Sequence, residues 1–429
     1  MTDKQNPRPL SLEILAVTLI LMLISFPRII NTPFHIDESS WIGNSYFFED
    51  WFRFDPQTPL WQINDQTLGD PNMTKFIIAV GRIITGFSRD ELNKPYDYTV
   101  DFTQNSDRGH IPNPNLLYAS RIPMAALTVM VGILLFIQFY RWESWAMAYG
   151  WIFLLVQNTL LLQVMSRAMN EAPVLLFTLI SSLCSYLGFV ELVKNNTQGE
   201  TKASFSFLLA GVSLGLAFST KISAILILFP TITILGIQIF SRGSFSFKHR
   251  MRLFLKLFLL YFLAALLIVI LLHPFLYRNP VAGIFQMLTF RASKLADQSA
   301  KYTDFSQLPL LQRWWEILRR LFTTYTAFDF PYEFLLNIPI AMIGFLNLGK
   351  QIAIDHRQSR LPSVVVMLIL LLSLLVIAGF MSPLDWDRYF IFPVFVMTII
   401  YAKGLEAILL WLHRRLTCVL KKKSPAGEA

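Results

Sequence analysis

Long apolar runs recur along the chain, separated by short polar breaks and by two long stretches that are polar and rich in aromatic residues. Runs such as 10–30, 122–140, 364–380 and 390–411 come close to the roughly 20 residues an α-helix needs to cross a bilayer core. None alternates polar and apolar as a transmembrane barrel strand must. In hydrocarbon every backbone N–H and C=O has to be paired within the chain, so runs of this kind predict helices. By length the chain predicts about ten spans, near 10–30, 118–140, 144–165, 172–193, 205–219, 222–240, 253–273, 332–349, 362–381 and 388–412. The run at 205–219 is short and is expected to pair tightly with the next across Ser219-Thr220-Lys221. The first run lacks a small-x-small cleavage pattern and is read as an uncleaved span. The expected fold is an all-α polytopic bundle over 1–413, followed by a basic cytoplasmic tail, 414–429.

The two long connections, 31–117 and 274–331, carry amphipathic patterns of their own. Within 39–54, Trp41, Ser45, Phe48 and Phe52 recur at helical spacing, with Asp37 or Ser39 as N-cap. Within 313–325, Trp314, Leu318, Leu321, Phe322 and Tyr325 do the same. Both predict helices lying in the membrane interface.

Composition agrees with a membrane protein: 54% of residues are hydrophobic and only 15% charged, where soluble domains carry about 25%. The net charge of +9 is read as basic cytoplasmic loops, not as nucleic-acid binding. With the N-terminus cytoplasmic, Lys4, Arg8, Arg141, Lys194, Lys202, Lys248, Arg250, Lys350 and Arg414 share the inner face. The connections 31–117, 166–171, 219–221, 274–331 and 382–387 then share the outer one. The 274–331 segment resists this pattern, with Arg278, Arg291, Lys294, Lys301, Arg313, Arg319 and Arg320 on the side where cations should be scarce. Cys184 and Cys418 suggest neither a disulfide nor a metal framework. No P-loop, dinucleotide fingerprint or zinc-helix motif is present.

Two features could carry chemistry. His35-Ile36-Asp37-Glu38 follows the first span, and adjacent carboxylates at a membrane boundary are costly if dehydrated. One of the two could act as a general base, or the segment could be a plain loop in which Asp37 caps the next helix. The second feature is a set of cations at outer span ends: Lys75, Arg121, Arg167, Lys221 and Arg388. Singly, each could snorkel to water; together they suit a lipid phosphate. His273 at a span end is a weaker catalytic candidate, and His35, Asp37 and Glu38 a non-specific metal pattern. Ionisable residues gather at span ends, which favours an enzyme over a flippase or transporter.

The order of these features resembles the GT-C glycosyltransferases, in particular protein O-mannosyltransferases and lipid A aminoarabinose transferases. The resemblance covers about residues 10–411. It rests on Asp37-Glu38, Asp70-Pro71-Asn72-Met73-Thr74-Lys75, Tyr118-Ala119-Ser120-Arg121, Ser166-Arg167-Ala168-Met169-Asn170-Glu171, Ser219-Thr220-Lys221 and Asp387-Arg388-Tyr389. The resemblance implies transfer of a sugar, mannose or another hexose or a pentose, from a polyprenyl-phosphate carrier to a lipid, glycan or protein hydroxyl. In that picture Asp37 is the base and Glu38 tunes it or touches substrate. Lys221 holds the carrier phosphate, helped by Lys75, Arg121, Arg167 and Arg388. Inversion at the anomeric carbon is implied, with no cofactor and no metal, at the outer face of a prokaryotic plasma membrane or in an ER membrane. The stretch at 70–73 departs from the family's usual His-Pro-Pro-type sequence, which weakens the expectation for Lys75.

Overall fold

A computed structural model describes residues 10–194, 197–241, 246–301, 308–325, 334–357, 366, 368–370 and 387–423. Among the described residues, eight helices are long and apolar enough to cross a membrane. The protein is thus an all-α polytopic membrane protein. The expectation of about ten spans is met only in part. The run at 362–381 lies outside the described residues apart from 366 and 368–370. The run at 144–165 is two helices bent by 70°, which make a ninth span if counted as one.

The helices in chain order are α1 (Leu10–Asn31), α2 (Ile36–Gly43), α3 (Phe47–Arg53), α4 (Asp65–Gly69), α5 (Asn72–Ile84), α6 (Phe102–Asp107), α7 (Pro114–Trp142), α8 (Trp145–Gln157), α9 (Thr159–Ser166), α10 (Glu171–Val193), α11 (Thr197–Phe218), α12 (Leu228–Phe240), α13 (Phe247–Leu272), α14 (Pro280–Lys301), α15 (Leu310–Thr323), α16 (Phe334–Arg357) and α17 (Ile391–Lys423). The break between α8 and α9 falls at Asn158, whose side chain accepts from Leu161 N at 2.9 Å and so caps α9. The span expected at 205–219 is longer than predicted, because α11 starts among polar residues at Thr197. The basic segment after 413 is helical as far as Lys423.

Lipid gives no hydrophobic drive for helices to associate, so close packing carries the bundle. Helices α10, α11 and α13 pack side by side, α7 packs on α1 and α8, and α17 packs on α8 and α16. Gly211 and Gly215 turn one face of α11 onto the α13 backbone; a Cβ at Gly215 would lie 2.6 Å from the Ala265 carbonyl. Along α1 the buried residues are Val17, Leu21, Ser25 and Ile29, one stripe at four-residue spacing. The remainder of that helix, including Leu12, Leu19 and Leu23, is left for lipid.

The segment between α1 and α7 folds into a cap over one end of the bundle. The single helix expected over 39–54 is instead the pair α2 and α3, broken at Asn44–Tyr46. Trp41, Ser45 and Phe47 are buried, so this pair packs against protein on that side. Its cap is His35 rather than Asp37 or Ser39: His35 Nδ1 accepts from Asp37 N at 3.2 Å, and Glu38 closes the capping box. The segment is fastened to distant span ends. Met73 N donates to Ser219 O at 2.8 Å, Asn72 Nδ2 to Leu272 O at 3.0 Å, and Trp51 Nε1 to Leu271 O at 3.0 Å. In α15, Ile317 and Leu321 face inward while Leu311 and Trp315 are exposed, an amphipathic helix as the sequence predicts.

Candidate active site

Glu38 is fully buried, and its carboxylate is taken up entirely by protein. Arg121 grips it with two parallel bonds, Nε to Oε1 at 2.7 Å and Nη2 to Oε2 at 2.6 Å. Ala168 N donates to Oε1 at 2.8 Å and His35 N to Oε2 at 2.9 Å. Arg121 spends its other donors on the carbonyls of Ile29, Thr32 and Pro33 at the end of α1. One buried, charge-assisted knot therefore joins α1, α2, α7 and the turn after α9.

One residue earlier on α2, Asp37 faces a different environment. Its side chain is 16% exposed. Oδ1 accepts from the Tyr98 hydroxyl at 2.7 Å, and Oδ2 pairs with the Arg388 guanidinium. Arg388 stands on the tight turn Asp387–Phe390 that leads into α17, with its guanidinium 5.4 Å from the Tyr389 ring centre. Lys221 Nζ lies 5.7 Å from the same ring centre and 5.9 Å from that of Phe392. Lys221 also lies 3.7 Å from Glu171 Oε1, at the start of α10. Arg167 is within electrostatic reach of Glu171. Arg291, on α14, reaches the Tyr389 hydroxyl. Two carboxylates and four cations are thus linked in one chain of contacts through Tyr389 and Lys221, from five separate stretches of chain.

This arrangement joins Asp37, Arg388, Lys221 and Arg167 from the sequence reading. Arg121 is held by Glu38 instead. Lys75 lies elsewhere. It is buried on α5, with Nζ donating to Gln66 O and Asp70 O at 2.7 Å each and to Asn72 Oδ1 at 3.4 Å. The Phe47 ring centre is 4.4 Å from it. Burial pushes the Lys75 ammonium down to about 7, against the opposing pull of Asp70. The bonds to Gln66 and Asp70 fasten α5 to the segment just before it.

Sequence reasoning missed Arg291, Tyr98, Tyr389 and Glu171 as site residues. For Arg291 a signal existed: it is one of the cations that violate the charge rule in 274–331. His35 Nδ1 caps α2 and Glu38 is held by Arg121, so the triad considered for a metal does not converge. Among the described residues no three His, Cys, Asp or Glu side chains do.

His273 is fully buried at the end of α13. Nδ1 donates to Val269 O at 2.8 Å, so Nε2 is the acceptor for Asn72 N at 3.4 Å, and the ring is neutral. Burial first, and then Lys75, push its pKa from 6.5 down to about 4. Between those values the unfolded chain takes up a proton and the folded one does not. The stability contributed by neutral His273 is therefore complete above pH 6.5 and is lost as pH falls toward 4, by about 3 kcal/mol in all. Thermal unfolding in detergent across this range should show the loss for the wild type and a flatter profile for His273→Gln.

The helical bundle with its cap has the GT-C-like fold. In solved structures the chain is similar to ArnT from Cupriavidus metallidurans in the apo state, at 13% identity and a TM-score of 0.53. That likeness covers 92% of this chain and 59% of the ArnT chain, so this chain spans less than two thirds of its relative's length. It is also similar to the S. cerevisiae protein O-mannosyltransferase Pmt1-Pmt2 complex bound to the sugar donor (13% identity, TM-score 0.38, 62% of this chain and 34% of that one). The Archaeoglobus fulgidus oligosaccharyltransferase tethered with an acceptor peptide gives 12% identity and a TM-score of 0.45, covering 94% of this chain and 50% of that one. No curated protein sequence matches the chain. The family model for dolichyl-phosphate-mannose-protein mannosyltransferases matches residues 74–289, half of the chain, and the chain belongs to that family.

Proposed function

We propose that this protein transfers a sugar from a polyprenyl-phosphate carrier to a hydroxyl acceptor, with Asp37 as general base and inversion at the anomeric carbon. The observation that carries this reading is the meeting of Asp37 with Arg388, Lys221 and Arg291 around Tyr389. A lipid phosphate needs cations that converge at the end of the bundle, and a hydroxyl nucleophile needs a carboxylate beside them. The acceptor oxygen bonds to the anomeric carbon as the bond from that carbon to the phosphate oxygen breaks. The acceptor's proton goes to Asp37, and the bonding electron pair leaves with the phosphate. The phosphate's added charge is met by Arg388, Lys221 and Arg291, with Arg167 behind them. A leaving group of that kind needs no acid, so one carboxylate suffices, whereas hydrolytic glycosidases use two. Preorganised positioning supplies most of the remainder.

In this reading Glu38 and Arg121 hold Asp37 in place without touching substrate, and Lys75 supports the cap. The donor sugar is a hexose or pentose, and the acceptor a lipid, glycan or protein hydroxyl. The cap lies at the outer face of the plasma membrane, or at the lumenal face if the membrane is that of the ER.

The test is incubation of the purified protein with labelled sugars on polyprenyl phosphate, with a detergent extract of cell membranes as acceptor. Product is expected from at least one lipid-linked donor. Product formed only from nucleotide sugars would overturn the reading.

A further inference from the structure

The two oxygens of Asp37 are held by groups of different kinds. Tyr98 donates a neutral hydrogen bond to Oδ1 at 2.7 Å, from a mostly exposed ring in the cap segment. Arg388 pairs with Oδ2, from the turn ahead of α17. A carboxylate neutralised by a guanidinium is a poor proton acceptor, so in this state the candidate base is restrained. The residue restraining it is also one of the cations grouped with Lys221 around Tyr389, where the reading puts the phosphate. A phosphate offers a guanidinium several charged acceptor oxygens, in a geometry suited to a two-pronged grip.

We propose that the Asp37–Arg388 ion pair is a latch opened by the donor: carrier phosphate draws Arg388 away, and Tyr98 keeps the released carboxylate aimed. The proposal rests on the sugar-transfer reading and adds to it an order of events. Donor binds first and frees the base; the acceptor is deprotonated only afterwards. Once the carrier has left, Arg388 returns to Asp37. Tyr98 is then a positioning residue, because its hydroxyl holds Asp37 in both states. A ligand can shift such an equilibrium only by binding one state better, and the exchange of carboxylate for phosphate at Arg388 supplies that difference.

Labelling of Asp37 in the full-length protein tests this without knowledge of sugar or acceptor. A carbodiimide attacks a carboxyl group that is accessible and not ion-paired, and mass spectrometry reads the modified peptide. Two additions are compared, a polyprenyl phosphate and the same polyprenol without phosphate, and thermal unfolding in parallel reports whether either binds. The expected result is a thermal shift with the phosphate alone, together with a several-fold rise in Asp37 labelling. That rise should reach the level that Arg388→Gln shows without any lipid. A thermal shift with unchanged or lower labelling would overturn the latch and leave the carrier reading standing. No thermal shift with the phosphate would remove both. The wild-type comparison is decisive by itself, whether or not Arg388→Gln folds.

Discussion

Asp37→Asn should lower the rate of sugar transfer by about a hundred- to ten-thousand-fold, the range over which a positioned general base acts. The amide keeps the size of the side chain, and its one oxygen can still accept from either Tyr98 or Arg388, but it cannot take the acceptor's proton. Because Asp37 is partly exposed and Glu38 fastens α2 independently, the thermal midpoint should stay close to that of the wild type. Donor binding should survive or tighten, since Arg388 is no longer tied to a charged partner. Activity measured beside thermal unfolding separates these effects. Near-normal turnover in a folded Asp37→Asn protein would remove Asp37 as the base.

Glu38→Ala should act in the opposite way, on the fold first. It leaves the Arg121 guanidinium buried without its counter-charge and strips Ala168 N and His35 N of their acceptor. Removing one partner of such a buried pair costs about 3–5 kcal/mol. The expected result is a large fall in thermal midpoint and low recovery from membranes. Replacing both partners, as in Glu38→Leu with Arg121→Met, should recover part of the loss, because a buried charge is then no longer stranded. A Glu38→Ala protein that melts like the wild type but fails to transfer sugar would instead place Glu38 on the substrate.

The contrast between these neighbours marks where sequence reasoning reaches its end. The membrane class, the positions of most spans and the presence of a carboxylate pair just past the first are written in local patterns, because run length and charge placement answer directly to the bilayer. Which of the two carboxylates is spent on structure is not local. It depends on Arg121, 83 positions away, and on the backbone of Ala168, 130 positions away. The same holds for the cations. Lys75 and Lys221 look alike in sequence, yet Lys75 turns inward to three oxygens of its own cap while Lys221 faces Tyr389. Arg291 was visible only as a breach of the charge rule, and only the fold brings it beside Tyr389. Tyr98 carried no signal, since a tyrosine in a polar loop has many ordinary uses. The helix over 39–54 was overextended because its aromatic spacing continues through Asn44–Tyr46, where the backbone turns to pack Phe47 beneath the cap.

The stereochemistry of transfer tests the central claim most directly. A single displacement, with Asp37 beside the acceptor and the phosphate held on the Lys221 side, must invert the anomeric carbon. NMR of the product made from one lipid-linked sugar of known configuration should show a glycosidic bond of the opposite configuration. Retention would contradict the account, because it requires a covalent sugar intermediate or attack from the side the phosphate leaves.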